Sequence, residues 1–359
     1  MILRALNALK FQILVTLAAV AAGFIYEGDV AGGLTVLLLG VFEISLSFDN
    51  AVVNAVVLEK MSPFWRRMFL LIGIPIAAIG MRFLFPIVIT SAASGLGFGS
   101  VIDLALHNPV EYQHRLEAAQ IDINALGGAF LGLVFLSFFL DPEEGQVPWL
   151  GWIERQLARV GRLDTVAIGI VLVGLLVDSR LVPDDRQVGM LTSGIIAIGI
   201  FIFVNGFSDL LGGAELARAG VATFLYLEVL DASFSFDGVI GAFAITNKVI
   251  LICLGLGIGA LYIRTMTIYF VEHGVLQEFV FLGNGAHWAI GVLAAILFID
   301  NSKPVPEIVT GLIGVAIILL AVAASIRHRR AGGGGQSSDE VLAGPTGEQL
   351  HTASSPATP

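Results

Sequence analysis

The 359-residue sequence is poor in charged residues, and this shortage excludes an ordinary soluble domain. Asp, Glu, Lys and Arg make up 13% of the chain and hydrophobic residues 56%, whereas soluble domains carry roughly 25% charged residues. Cysteine is scarcer still: the single Cys253 can form no intrachain disulfide, which excludes a disulfide-stabilised scaffold. The formal net charge is −10, so no nucleic-acid partner is expected. A mean hydropathy of +0.88 places the chain among membrane proteins.

Long apolar runs are what the sequence has in abundance. A bilayer core of about 30 Å requires roughly 17 to 25 apolar residues in helical form. We therefore predict an all-α polytopic membrane helix bundle with about ten spans. The predicted spans are residues 11–26, 33–58, 68–93, 125–140, 164–178, 188–206, 221–245, 249–271, 286–300 and 306–326.

The distribution of Lys and Arg predicts the orientation of these spans. With the N-terminus in the cytoplasm, most of the 19 basic residues fall on the inner side, as the positive-inside rule requires. Both termini are then cytoplasmic. Within the stretch 149–162, Trp149, Trp152, Arg155 and Arg159 have the pattern of an interfacial helix on the same side.

Two of the predicted spans contain nearly the same polar motif. Each has an acid, two serines and a second acid six residues after the first. A carboxylate at mid-membrane costs several kcal/mol unless something pairs with it, so such acids are functional candidates. The two motifs are Glu43-Ile-Ser-Leu-Ser-Phe-Asp49-Asn50 and Asp231-Ala-Ser-Phe-Ser-Phe-Asp237-Gly238.

The recurrence predicts an internal duplication. The motifs lie in the second and seventh spans, so each half has five spans, and an odd number makes the two repeats inverted. Arg82 in the third span and Arg264 in the eighth lie at matching places. We expect glycine-rich runs such as 255–259 to be helix-packing faces. The predicted membrane repeats are 1–178 and 188–326, and residues 331–359 are predicted to be a disordered cytoplasmic tail.

Inverted repeats would bring the acids of the two motifs together. On a continuous helix Glu43 and Asp49 are about 120° and 9 Å apart, so one ion can reach both only if the helix unwinds between them. Across antiparallel repeats, Glu43 falls level with Asp237 and Asp49 with Asp231, each to within about one residue. The predicted metal ligands are Glu43, Asp49, Asn50, Asp231 and Asp237, with Ser45, Ser47, Ser233 and Ser235 as auxiliary polar groups and Arg82 and Arg264 as charge-balancing groups.

Carboxylate, amide and hydroxyl oxygens, without Cys or His in the motifs, suit hard divalent cations. Manganese, calcium and magnesium fit this pattern, whereas zinc and copper draw nitrogen or sulfur ligands. Two carboxylates brought close repel each other once the ion leaves, so a proton can replace the metal. The expected partners are thus a metal ion, a proton and the lipid bilayer, with no tightly bound cofactor and with homo-oligomerisation left open. His114, with Glu111 and Glu117, is a further candidate for ion access at the outer surface.

The motifs resemble those of the TerC family of bacterial integral membrane proteins, which is named for tellurium resistance and belongs to the lysine-exporter-like superfamily. The matching residues are Glu43 with Asp49-Asn50, and Asp231 with Asp237, within a resemblance that spans roughly residues 30 to 325. Gly238 departs from the family pattern, in which Ser usually follows the second Asp. The resemblance implies metal-ion export, with manganese as cargo, across a bacterial inner (plasma) membrane.

We therefore expect a proton-coupled exporter of a divalent cation and not an enzyme. Two other classes stay open on the sequence. Paired intramembrane aspartates also suit an intramembrane hydrolase. Helix-pairing acids suit a partner-binding subunit of a metal-stress membrane complex.

Overall fold

The computed structural model describes residues 2–140, 147–160, 164–210 and 215–332, and in these ranges every regular element is a helix. The expected all-α polytopic bundle is confirmed, and the chain is a multi-pass membrane protein. The tail predicted for 331–359 lies, but for its first two residues, outside the described ranges.

The helices follow one another with short connections. The first part of the chain contains α1 (Ile2–Glu27), α2 (Val30–Leu46), α3 (Phe48–Glu59), α4 (Pro63–Leu71), α5 (Gly73–Pro75), a π-helix (Ile76–Leu84), α6 (Phe85–Ser94), α7 (Phe98–His107), α8 (Pro109–Ala118) and α9 (Gln120–Leu140). The second part contains α10 (Gly151–Val160), α11 (Asp164–Ser179), α12 (Asp184–Leu210), α13 (Glu215–Phe243), α14 (Val249–Glu272), α15 (Val275–Glu278), α16 (Leu282–Asp300) and α17 (Glu307–Gly332).

Fewer helices than predicted meet the length and composition expected of a span. In the part of the chain that the structure describes, seven helical segments do so when α4 to α6 are taken as one, or eight if the bent pair α2–α3 also forms one span. These eight coincide with eight of the ten predicted spans. The remaining two predicted spans coincide with α11, which has 16 residues, and with α13, which has 29 residues and carries Glu228 and Asp231. α11 is shorter than a usual span, and several side chains of α13, including those of residues 236 and 237, lie outside the part that the structure describes.

The second predicted span is broken in the middle of its motif. The axes of α2 and α3 differ by 54°, and the break lies at Ser47, whose φ of −99° and ψ of 15° are not helical. The break falls between Glu43 and Asp49. It provides the unwinding that one ion would need to reach both acids.

Close helix packing around α14 brings the two halves of the chain together. α14 packs against α2 and the π-helix, and α13 packs against the π-helix and α9. A Cβ at Gly255 would lie 2.9 Å from Val36 O, and one at Gly259 would lie 3.0 Å from Gly40 O, so glycine is needed for this approach. The packing face expected for 255–259 is confirmed.

The amphipathic segment predicted for 149–162 contains α10, which is fastened to α16. The buried Glu154 carboxylate accepts hydrogen bonds from the backbone N–H groups of Trp149 and Leu150 at 2.9 and 3.1 Å. It also accepts from Asn284 Nδ2 and Trp288 Nε1, both at 2.9 Å. Trp152 is 73% exposed on the opposite face. The carboxylate thus satisfies the helix start and fixes α10 to the bundle.

Candidate cation site

Arg82 links the two halves of the chain inside the bundle. It lies on the π-helix, an element often found at functional sites, and it is 3% exposed. Its Nη2 pairs with Glu43 Oε1 on α2, and its Nη1 lies 3.9 Å from Asp231 Oδ2 on α13. Nη1 also donates to Ala77 O at 2.9 Å. One guanidinium therefore contacts an acid of each motif.

Arg264 on α14 holds a second set of charges. Its Nη2 lies 2.9 Å from Asp231 Oδ2 and 3.4 Å from Glu228 Oε2. The guanidinium stacks on Phe69 at 3.9 Å from the ring centroid, a favourable cation–π contact. Gly73 leaves the space for this pair, because a Cβ there would lie 2.7 Å from Arg264 Nη1.

Glu228 is a charged residue of this site that the sequence reasoning missed. It is 7% exposed and lies three residues before Asp231 on α13, so both acids face Arg264. The available signal was a third acid inside an apolar run, one turn from the motif.

The first turn of α3 brings Asp49 and Asn50 to the same place. Asn50 Nδ2 donates to Asp231 Oδ1 at 2.6 Å, and the Asn50 N–H donates to Asp49 Oδ1 at 2.9 Å. The N–H groups of the first helical turn have no partner within the helix, so they favour a negative charge such as that of Asp49. Asp49 lines a small cavity of about 20 Å³ with Leu46, Phe234, Gly238, Leu293, Thr310 and Gly311, which is room for about one water.

The contacts between the motifs lie within the one residue that the predicted register allows. Asn50, rather than Asp49, contacts Asp231. Glu43 Oε2 lies 2.8 Å from where a Cβ of Gly238 would stand, next to Asp237 in the chain. The side chain of Asp237 itself lies outside the part that the structure describes.

The predicted auxiliary serines have different surroundings. Ser47 is buried and donates to Glu43 Oε1 at 2.9 Å, so it belongs to the site. Ser45 is exposed and donates to Val41 O at 2.8 Å, away from the acids. Ser233 and Ser235 donate to the carbonyls of Val229 and Asp231 one turn earlier. On α8, far along the chain from these residues, Glu111 pairs with Arg115 at 2.8 Å and His114 is exposed.

We call Glu43, Asp49, Asn50, Arg82, Glu228, Asp231 and Arg264 the charge network. Its four acids and two arginines leave a formal charge of −2 (two minus four). Glu43 Oε2 and Asn50 Oδ1 are buried without a hydrogen-bond partner among the described residues, as are Arg82 Nε and Arg264 Nε. Within the same residues no three Asp, Glu, His or Cys side chains converge on one point. The Arg82 guanidinium, which contacts both Glu43 and Asp231, keeps these two carboxylates apart.

A family profile matches most of the chain, including the residues of the charge network from Asp49 onward. No curated protein and no solved structure matches the chain significantly. A family profile described as "Protein of unknown function (DUF475)" matches residues 48–332. The chain therefore belongs to the DUF475 family.

Proposed function

We propose that this protein exports a divalent metal cation across the bacterial inner membrane, with manganese as the principal cargo and protons as the coupling ion. The observation that supports it most is the charge of the network, which is −2 on the described side chains and equals what one divalent cation neutralises. Two of its buried oxygens, Glu43 Oε2 and Asn50 Oδ1, make no hydrogen bond within the described residues. Such oxygens are the ligands that hard cations prefer.

The broken second span supports the same proposal. Transporters place ion sites at discontinuous helices near the bilayer midplane, where the backbone at the break is free to take part. Here the break at Ser47 separates Glu43 from Asp49. In the charge network these two acids lie on either side of the break, with Asn50 beside them.

Arginine and cation compete for the same carboxylates in this proposal. A buried acid without a partner is costly, so Arg82 and Arg264 stabilise the network when no cation is bound. When a cation binds, the carboxylates of Glu43 and Asp49 coordinate it, and Arg82 then moves toward Asp231. When the cation leaves, a proton or the arginine neutralises Glu43. Alternating access follows if the two halves rock about the reciprocal contacts of α2 with α14 and of α13 with the π-helix.

Purified protein in liposomes tests this proposal directly. Wild-type protein should carry Mn²⁺, with flux that increases under a pH gradient, and Asp49→Asn should reduce the flux at least tenfold because it removes one charge without changing the volume. Asp103→Asn, on the exposed face of α7, is the matched control and should leave the flux unchanged. Absence of Mn²⁺, Ca²⁺ and Mg²⁺ flux in the wild type, or full flux in Asp49→Asn, would end the proposal.

A further inference from the structure

Asn54 is a buried amide that the charge network does not use. It lies on α3 one turn after Asn50, it is 0% exposed, and neither its Nδ2 nor its Oδ1 has a hydrogen-bond partner among the described residues. Residues four apart lie on the same helix face. A fully buried amide with both polar atoms unpaired is rare in native proteins and indicates water or a ligand.

A large cavity begins on the same face of α3, beyond Asn54. The cavity has a volume of about 420 Å³ and is lined by Val56 and Val57 of α3, Lys60 directly after α3, Ser137 of α9, Thr223 and Tyr226 of α13 and His287 of α16. Its size is within the range of binding pockets.

Both helices that meet at the charge network run to this cavity. From the contact between Asn50 and Asp231, α3 reaches the cavity at Val56 after six residues, about 9 Å along the axis. α13 reaches it at Tyr226, five residues before Asp231. α3 and α13 are therefore antiparallel here, and Asn54 lies between the network and the cavity.

The chemistry of the cavity suits water more than a bound cation. Ser137 Oγ is buried without a hydrogen-bond partner in the described part of the chain, and Tyr226 adds a hydroxyl group. Polar groups in a roomy cavity hold water. The described residues that line the cavity include no carboxylate, and Lys60 lies at its edge on the side predicted to be cytoplasmic. Asn54, farther in, offers a buried amide oxygen with no hydrogen-bond partner among the described residues, and an amide oxygen is a ligand that hard cations accept.

We propose that Asn54 is an inner binding position for a partly hydrated divalent cation, reached from the cytoplasm through this water-filled cavity. The cation passes from Asn54 to Asp49 and Asn50, exchanging water for carboxylate oxygen. This inference rests on the proposed function, which it extends by one binding position and one access path.

Transport and stability measured together test the role of Asn54. Asn54→Leu, which has nearly the same volume and no polar atoms, should reduce Mn²⁺ flux in liposomes at least tenfold while the thermal unfolding temperature stays equal or rises. Asn54→Asp, which keeps an oxygen ligand, should retain flux with a lower KM. Full flux in Asn54→Leu, with wild-type flux present, overturns the inference and leaves the proposed function intact. Absence of flux in the wild type ends both.

Thiol labelling tests the access path without any transport. In a Cys253→Ala background, Val57→Cys and Ser137→Cys should react with a membrane-impermeant thiol reagent applied from the cytoplasmic side. Leu38→Cys, on the exposed apolar face of α2, is the control and should not react. Unreactive cysteines at 57 and 137, in protein that folds and reaches the membrane, overturn the path.

Discussion

The acids and arginines of the charge network stabilise the fold only as a set. Arg82 and Arg264 are 3% and 1% exposed, and each contacts more than one carboxylate. A buried ion pair adds little over well-packed apolar residues, but removal of one partner leaves an uncompensated charge. Single substitutions should therefore destabilise the protein more than paired ones.

Arg264→Met should lower the free energy of unfolding by about 3–5 kcal/mol, because it leaves Glu228 and Asp231 facing each other. Adding Glu228→Gln should recover part of this loss, since Asp231 keeps Asn50 and Arg82 as partners. Denaturant unfolding in detergent micelles measures both. Arg329→Met, which breaks the exposed pair with Glu278, is the control and should cost less than about 1 kcal/mol. Equal losses for the single and the double variant would contradict the argument.

Two serines of one motif, two residues apart, should behave differently. Ser47→Ala removes a buried hydrogen bond to the Glu43 carboxylate and should cost about 1–3 kcal/mol. Ser45→Ala removes a bond to a carbonyl of its own helix on an exposed face and should change stability by about 0.5 kcal/mol or less. The same unfolding measurement compares them, and indistinguishable variants would show that Ser47 does not support Glu43.

The sequence pattern identified the residues within the two motifs and the two arginines, and it missed Glu228 and Asn54, which lie outside the motifs. Glu43 corresponds to Asp231 and Arg82 to Arg264 in the predicted repeats, and all four are buried in the charge network. At the matching offset, Glu228 corresponds to Gly40 and Asn54 to Ala242. A residue with no counterpart in the other predicted repeat gains no support from the repetition of the motif. Asn54 therefore became visible through its burial and unpaired atoms, and Glu228 through its burial and its contact with Arg264.

The two motifs have similar local sequences but different backbones. Ser47-Phe48-Asp49 lies at a helix break, whereas Ser235-Phe236-Asp237 lies within the continuous α13. Tertiary packing accounts for the difference. Gly311 and Gly314 let α17 approach the break, where a Cβ would lie 3.3 Å from Leu46 Cα and 3.0 Å from Asp49 Cγ respectively. Local sequence could not predict this, because the partner helix is more than 250 residues away in the chain.

Helix packing around α14 gives a further prediction. Gly255→Ala should destabilise the protein by about 1–3 kcal/mol, because the new methyl group meets Leu39 and the Val36 carbonyl. Gly257→Ala, whose Cβ would have its nearest neighbour at 3.6 Å, should be neutral or stabilising by up to about 1 kcal/mol through helix propensity. Thermal unfolding in detergent compares the two. A stable Gly255→Ala would mean that α2 and α14 are not held this closely.

Composition and run length were enough to predict the class of the protein. The apolar runs became helices, and each predicted span coincides with one helix or with a run of consecutive helices. Composition could not predict which helices lie at the centre of the bundle, because the burial of a helix depends on the helices that pack around it. α9 is mostly buried and α1 mostly exposed, although both are apolar.

Binding of a cation to the folded state should stabilise the entire protein. A ligand at about 100 times its Kd adds roughly 2.7 kcal/mol to the free energy of unfolding. Mn²⁺ should thus raise the unfolding temperature of the wild type, and Asp49→Asn should lose most of this increase. Scanning fluorimetry at several Mn²⁺ concentrations measures the effect. An equal rise in both proteins would place the bound metal elsewhere.

The contrast between a bent α2–α3 and a straight α13 makes the two gates of any transport cycle unequal. In the first half the helix break at Ser47 lets the two segments bend relative to each other. In the second half α13 is one continuous helix of 29 residues, which tilts as a unit. Opening toward one face of the membrane would then be fast and toward the other slow. Flux measured in opposite directions through the same protein should be rectified.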